Sequence, residues 1–320
     1  VKPKVYITRR LNGRLVKKIE EICDVKMWEE EDVEVPRDIL MKEVQEVDGL
    51  LCMLTEKIDE ELLSGARNLK VVSNMAVGYN NIDITAAKNR GVTVTNTPGV
   101  LTETTADLTF TLLMATARRI VESSDYLREG KWETWSPMQL TGQDVHRATL
   151  GIIGMGRIGE AVIKRAKGFD MNILYHNRNR KHGIEEELGV VYAGLEELLR
   201  DSDFVCVLTP YTSETHHLIS EREFSLMKET AVLINTARGG IVDEEALYHA
   251  LKHRKIWAAG LDVFEQEPVP VDHPLLALPN VVTLPHIGSA SIQTRLKMAD
   301  LAAENLLRAL TKQTPKHVVV

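Results

Sequence analysis

The chain has 320 residues, 44% of them hydrophobic, which suffices for about two domains with substantial cores. A formal net charge of −7 argues against general binding to nucleic acid or anionic membrane, and no apolar run reaches the ~18 residues of a membrane span. Cys23, Cys52 and Cys206 are odd in number, far apart and set in apolar surroundings, so they read as buried reduced thiols, with neither a disulfide framework nor a metal site. Val1-Lys2-Pro3-Lys4 runs straight into a strand pattern, so no signal peptide is expected and the expected location is cytoplasmic.

In chain order, residues 5–8 predict a strand, and Leu11, Leu15, Ile19 and Ile22 mark one face of a helix. A strand at 25–28 and a helix at 36–47, with Pro36 near its start, come next. Residues 49–54 are continuously apolar, as in a strand buried on both faces. Helix 59–66, strand 71–74, helix 83–90 closed by Gly91, and strand 92–95 complete an alternation that implies a small open parallel sheet.

The pattern then changes. Residues 102–128 predict one long helix without internal Gly or Pro. Residues 131–147 are irregular and hold Trp132, Trp135 and Pro137, too apolar for a plain linker; they form either a loop packed on its own domain or an arm packed on another subunit. From Thr149 the alternation restarts, with strands at 149–153, 171–176, 190–193, 203–208, 231–236, 257–263 and 281–284 and helices at 157–168, 184–188, 194–200, 220–227 and 243–252. That is the pattern of a doubly wound dinucleotide domain. The amphipathic helix at 291–310 is expected to return to the first domain. The expected division is therefore 1–99 plus 291–320, with 100–290 as the dinucleotide domain, and a small ligand is expected in the cleft between them.

Leu150 to Gly159 holds G-x-G-x-x-G in the order strand, tight turn, helix. Gly154 permits the turn, Gly156 has no side chain to hold a pyrophosphate off the backbone, and Gly159 lets the helix pack on the strand. The helix N-terminus, starting with Arg157 and Ile158, presents free N–H groups to phosphate. The next strand ends in Asn177-Arg178-Asn179-Arg180-Lys181, where a site for NAD usually has an acid for the ribose 2′-OH. A neutral amide followed by guanidinium groups suits a 2′-phosphate, so NADP(H) is preferred and NAD(H) remains possible; the alternative is a solvated charged turn.

A hydride-transferring cofactor needs an acid/base group and a clamp for the substrate. His176, His182, His249 and His253 lie in charged or helical contexts, and His216, His217 and His273 in polar loops, which suits solvated or structural roles. His286 instead follows a strand, at the edge where such sheets carry their chemistry. Arg238 follows the buried strand 231–236; Asp262 stands near the end of 257–263, and Glu265 and Glu267 follow it. An arginine, an acid and a histidine on one sheet edge suit reduction of a 2-keto acid.

Asn74-Met75-Ala76-Val77-Gly78-Tyr79-Asn80-Asn81-Ile82-Asp83, the glycine motif, Asn235-Thr236-Ala237-Arg238-Gly239, Leu261 to Pro268 and Leu284 to Ala290 carry a resemblance over essentially the whole length. The chain resembles the D-isomer-specific 2-hydroxyacid dehydrogenase family, most closely its glyoxylate/hydroxypyruvate and 2-ketogluconate reductases. The resemblance implies an α/β fold of two doubly wound parallel-sheet domains, flavodoxin-like and Rossmann-like, with the active site in the cleft between them.

It further implies that Arg238 binds the substrate carboxylate and polarises the keto oxygen, and that Glu267 hydrogen-bonds His286 and raises its pKa. His286 then exchanges the proton as general acid/base. Val77 and Gly78 would offer backbone N–H groups to the carboxylate, although a simple tight turn is the alternative there. Met53, Leu54 and Trp135 would line the substrate pocket, with Trp135 entering from the partner of a homodimer. Thr104, Thr209, Pro210, Ala237, Asp262 and Gly288 would join the glycine turn, Asn177 and Arg178 around the dinucleotide, Asp262 facing the nicotinamide amide. An acid at the position of Asn177 selects NAD in much of the family, and this chain departs there. A phosphoglycerate-type dehydrogenase and a dinucleotide-sensing co-repressor of the same family are the alternatives.

Overall fold

The computed structural model describes residues 2–320. Contacts divide the chain into two units, one ending at Leu101 and regained at Ser291–Val320, the other Thr102–Ala290.

In the first unit the strands are β1 (Lys4–Ile7), β2 (Asp24–Met27), β3 (Gly49–Cys52), β4 (Val71–Asn74) and β5 (Thr93–Thr95). They pair in parallel in the order β2-β1-β3-β4-β5, the flavodoxin-like arrangement. β3 and β4 are buried at every residue, whereas edge strand β2 alternates, because only central strands are covered on both faces. The crossovers are α1 (Gly13–Glu20), α2 (Arg37–Glu43), α3 (Glu60–Gly65) and α4 (Ile84–Asn89). Asn12, Asp59 and Asp83 cap the first, third and fourth by accepting from main-chain N–H groups of the first turn. The C-terminal helix, Ile292–Leu310, packs on β3, β4 and β5, and the residues after it add a short antiparallel pairing, Thr95 with Val318.

The second unit opens with α5 (Thr102–Ala117) and α6 (Ile120–Arg128). The single long helix expected over 102–128 is therefore corrected to two. Arg119 takes a left-handed φ of 52°, and the Ala117 carbonyl accepts the Gln143 N–H at 2.9 Å. A Cβ on Gly142 would lie 2.1 Å from that carbonyl oxygen, so only glycine lets the strand of chain pass there. A tertiary contact, not a local breaker, ends the helix.

Then follow β6 (Thr149–Ile153), α7 (Arg157–Lys167), β7 (Asn172–His176), α8 (His182–Leu188), β8 (Val191–Tyr192), α9 (Leu195–Asp201), β9 (Phe204–Val207), α10 (Glu221–Leu226), β10 (Val232–Asn235), α11 (Glu244–Lys252), β11 (Ala258–Leu261) and β12 (Val281–Thr283). The seven strands are parallel in the order β12-β11-β10-β9-β6-β7-β8, the doubly wound dinucleotide order with one extra strand. The order reverses between β6 and β9, which places the switch point at the glycine turn. Among the described residues no helix is long and apolar enough to cross a membrane.

Candidate active site

The glycine turn is closely packed at two of its three glycines and open at the third. Gly154 has φ +97°, and a Cβ there would lie 2.5 Å from the Thr209 main-chain nitrogen, so the loops after β6 and β9 touch through it. A Cβ on Gly159 would meet the Gly154 carbonyl oxygen at 2.9 Å, whereas one on exposed Gly156 would meet nothing within 4 Å. The space over Gly156 and the first turn of α7, with Arg157 and Ile158, is open to a ligand, and N–H groups at a helix start favour an anion. Thr104 lies in the first turn of α5, and Thr209 and Pro210 follow β9.

At the end of β7 the side chains divide differently from the sequence reading. The Asn177 amide closes on the glycine loop, accepting the Met155 N–H at 2.6 Å and donating to the Met155 carbonyl at 3.2 Å. Arg180 forks onto Glu185 with two 2.7 Å bonds and stacks over Tyr192. Lys181 pairs with Glu160 at 2.8 Å. Arg178, with 84% of its side chain exposed, has only a 3.4 Å pair with Glu214. Of the three cations, Arg178 is thus the one open to a 2′-phosphate.

The chemistry-bearing residues follow three neighbouring strands, β10, β11 and β12. The Asn235 side chain braces the turn after β10, accepting the Ala237 N–H (3.1 Å) and donating to the Arg238 carbonyl (3.0 Å). Gly239 presses on the loop after β11, where a Cβ would overlap the Phe264 carbonyl carbon at 1.8 Å. Phe264 in turn donates its N–H to Glu267 Oε1 at 3.0 Å. Glu267 Oε2 accepts from His286 Nδ1 at 2.6 Å. Arg238, Glu267 and His286 are thereby fastened through adjoining loops.

Burial opposes ionisation of Glu267, but the His286 hydrogen bond, the Phe264 N–H and the Arg238 charge outweigh it and hold its carboxyl below the usual range. Burial pulls the Arg238 guanidinium down from its ordinary value, with Glu267 opposing. With Nδ1 facing Glu267, the Nε2 edge of His286 carries no hydrogen bond within the described chain. His286 itself has φ +53°, a conformation costing on the order of 1 kcal/mol or more outside glycine and held here by its neighbours' bonds.

One of those bonds comes from Asp262. Its Oδ1 accepts the Ile287 N–H at 2.7 Å, which ties the His286 loop to β11, while its buried Oδ2 has no hydrogen-bond partner. An orphaned acceptor at this edge fits an amide-bearing ligand such as a nicotinamide. Gly288 packs against it, its Cβ position 3.2 Å from Oδ2. Burial pushes the Asp262 carboxyl up, so the charged form lowers stability at neutral pH. A raised folded value means that stability is fully present below the unfolded value near 4 and falls as pH rises through the folded one. Asp262→Asn is accordingly expected to raise the melting temperature at pH 7 by about 2–4 °C, with the gain shrinking as pH is lowered toward 4 in calorimetry. A lower melting temperature at pH 7 would contradict it.

In the first unit, Met53 and Leu54 follow β3 and Val77 and Gly78 follow β4. The Met53 N–H donates to Glu56 at 2.7 Å and its carbonyl accepts from Asn81 at 3.1 Å. The Val77 and Gly78 carbonyls accept from the side chains of Asn96 (2.8 Å) and Asn74 (2.9 Å), while the N–H groups of Val77 and Gly78 have no partner in the described chain. Trp135 is 75% exposed in the arm after α6.

Two of these supports lie outside every motif read from the sequence. Asn96 and Glu56 are single polar residues at the ends of apolar runs, and that position is the only signal they give. Asn235 and Asp262 lie within motifs, but their bracing of the loops shows only in the fold. His217 and His273 are structural, bridging to Glu265 at 2.9 Å and to Glu244 at 3.1 Å. Among the described residues no group of three or more His, Cys, Asp or Glu is placed to hold a metal ion. All three cysteines are buried and free.

The description "D-isomer specific 2-hydroxyacid dehydrogenase, NAD binding domain" matches residues 110–288. A Korarchaeum cryptofilum protein named glyoxylate reductase is 51% identical over 320 residues, covering 100% of this chain and 96% of that one. A solved Thermus thermophilus protein superposes with a TM-score of 0.92 at 45% identity, over 99% of this chain and 100% of that one. The NADPH-dependent glyoxylate/hydroxypyruvate reductase of Sinorhizobium meliloti, solved with NADP and malonate, gives a TM-score of 0.87 at 34% identity, over 100% and 97% of the two chains. With a nicotinamide-dinucleotide-binding unit matched over more than half its length, the chain is an oxidoreductase and belongs to the D-isomer specific 2-hydroxyacid dehydrogenase family.

Proposed function

We propose that the protein reduces a small 2-keto acid of the glyoxylate, hydroxypyruvate or 2-ketogluconate type to the D-2-hydroxy acid, preferring NADPH to NADH. The observation that carries this is the His286–Glu267 pair, 2.6 Å apart, with the Nε2 edge of the histidine left for substrate. When bound, a nicotinamide dinucleotide would provide the hydride for reduction of the keto carbon, and Gly154, Gly156, Gly159, Arg178 and Asp262 are the residues that would hold it. His286 gives its Nε2 proton to the keto oxygen and takes it back in the oxidation direction. Glu267 holds the opposite ring nitrogen and balances the imidazolium charge. Arg238 binds the substrate carboxylate and polarises the keto oxygen. In the first unit, the Val77 and Gly78 N–H groups are carboxylate donors on the same reading. Relatives named glyoxylate reductase support the substrate class. Assay of NADPH oxidation with a panel of 2-keto acids tests it, and no turnover with any of them rejects it.

The NADPH preference rests on the absence of a carboxylate at Asn177 and on the open guanidinium of Arg178. Arg178→Ala is expected to raise the KM for NADPH about tenfold and that for NADH less than about twofold, one charge-assisted bond being worth about that much. Equal effects on the two cofactors would remove the basis for the preference.

The protein is further proposed to act as a homodimer in the cytoplasm. α6 buries none of its residues, and Ile120, Val121, Leu127, Trp132, Trp135 and Met138 are all exposed, an apolar surface that a second copy of the chain would cover. Sedimentation at the mass of a single chain would contradict the dimer.

A further inference from the structure

The loop after β4 is gripped from behind by a segment that the mechanism does not use. The Ala76 carbonyl accepts the Thr97 N–H at 2.9 Å, and the Val77 carbonyl accepts Asn96 Nδ2 at 2.8 Å. Both peptides are trans, so each carbonyl and the N–H of the same peptide point to opposite sides. Holding the Ala76 and Val77 carbonyls on one side therefore aims the N–H groups of Val77 and Gly78 to the other, where neither meets a partner in the described chain.

Residues 96 and 97 are themselves fastened by a residue far away in sequence. Asn305 lies in the C-terminal helix with 0% exposure. A buried amide is unfavourable unless its polar atoms are bonded, and here both the nitrogen and the oxygen have partners. Its Nδ2 donates to the Asn96 carbonyl at 3.1 Å, and its Oδ1 accepts the N–H groups of Lys316 (2.9 Å) and His317 (3.4 Å). The tail beyond them pairs with β5 through the Val319 N–H and the Val94 carbonyl at 2.7 Å. The chain of bonds thus runs from the tail to Asn305, to the main chain of Asn96, and through the Asn96 side chain to Val77.

We propose that Asn96 and Asn305 are positioning residues for substrate: they preset the two N–H groups that receive the carboxylate, and the C-terminal tail is part of that support. This rests on the reading that Val77 and Gly78 bind the carboxylate. A cradle oriented before substrate arrives loses no free energy to ordering when it binds. Because the cradle holds a group that does not react, its loosening weakens ground state and transition state alike and shows in KM rather than kcat.

The test is steady-state kinetics of the full chain with glyoxylate as the probe at saturating NADPH, for Asn96→Ala, Asn305→Ala and Gly78→Pro, which deletes one donor. The expected result is a rise of about tenfold in KM for glyoxylate in both asparagine variants, with kcat and the KM for NADPH within about twofold. If Asn305→Ala fails to fold, the part-buried Asn96→Ala carries the test alone. Unchanged KM in Asn96→Ala while Gly78→Pro raises it overturns the positioning role and leaves the carboxylate reading standing. Unchanged KM in a folded Gly78→Pro overturns the carboxylate reading itself. A loss of kcat and of NADPH binding together in Asn96→Ala marks general damage and also overturns the proposal.

Discussion

Replacing His286 by Asn is expected to lower kcat for 2-keto acid reduction by about 10²–10⁴-fold while NADPH binding stays within about twofold. Asparagine is the informative choice because it tolerates the left-handed φ of 53° that position 286 adopts, so the loop can keep its course. The Ile287 N–H to Asp262 bond, which anchors that loop, is untouched by the change. On the proposed mechanism the change removes the proton donor, because an amide cannot give a proton to a developing alkoxide, and Arg238 would be the one group left to the keto oxygen. Steady-state turnover paired with a fluorescence titration of NADPH separates the two effects. Turnover near the parent value would show that another group supplies the proton.

The second large effect is on stability and lies in the first unit. Glu56 sits under the Met53 loop with 2% of its side chain exposed, 3.2 Å from Arg9, itself 11% exposed. Its carboxylate accepts from Thr8 Oγ1 at 2.6 Å, the Met53 N–H at 2.7 Å and Thr55 Oγ1 at 2.7 Å. Glu56→Ala removes all of these and leaves the largely covered Arg9 guanidinium without its counter-charge, held only by the Thr8 carbonyl and Thr55 Oγ1. The expected loss is about 3–5 kcal/mol in unfolding of the first unit, measured by urea titration. Glu46, paired with Lys4 at 3.3 Å but 78% exposed, is the control, and Glu46→Ala should change stability by no more than about 0.5 kcal/mol. A loss below about 1 kcal/mol for Glu56→Ala would mean that the buried pair is not what holds the loop.

The two sheets are legible in the sequence because their central strands are short uninterrupted apolar runs with helix spacing between them. That an acid and His286 share one sheet edge is legible for the same reason, since each stands at or just past the end of such a run; which of Asp262, Glu265 and Glu267 meets His286 is not, and only the family resemblance singles out Glu267. The break between α5 and α6 is not legible, since its cause, the Gln143 N–H on the Ala117 carbonyl, comes from a segment 26 residues away with no breaker in the helix itself. Nor are the partners of the cations after β7. Arg180 and Lys181 look available in sequence, and only the fold brings Glu185 and Glu160 to them. Asn96 and Asn305 are hidden more completely, because an asparagine in a loop and another in an amphipathic helix are unremarkable until burial shows that every polar atom of Asn305 is in use.

The most direct measurement is the product of hydroxypyruvate reduction by the purified protein with NADPH, resolved by chiral chromatography. The proposed mechanism, with His286 as proton donor in a family specific for D isomers, predicts D-glycerate formed with stoichiometric NADPH oxidation and lost in His286→Asn. Formation of L-glycerate, or no NADPH oxidation with hydroxypyruvate, glyoxylate or a sugar-derived 2-keto acid, would contradict it.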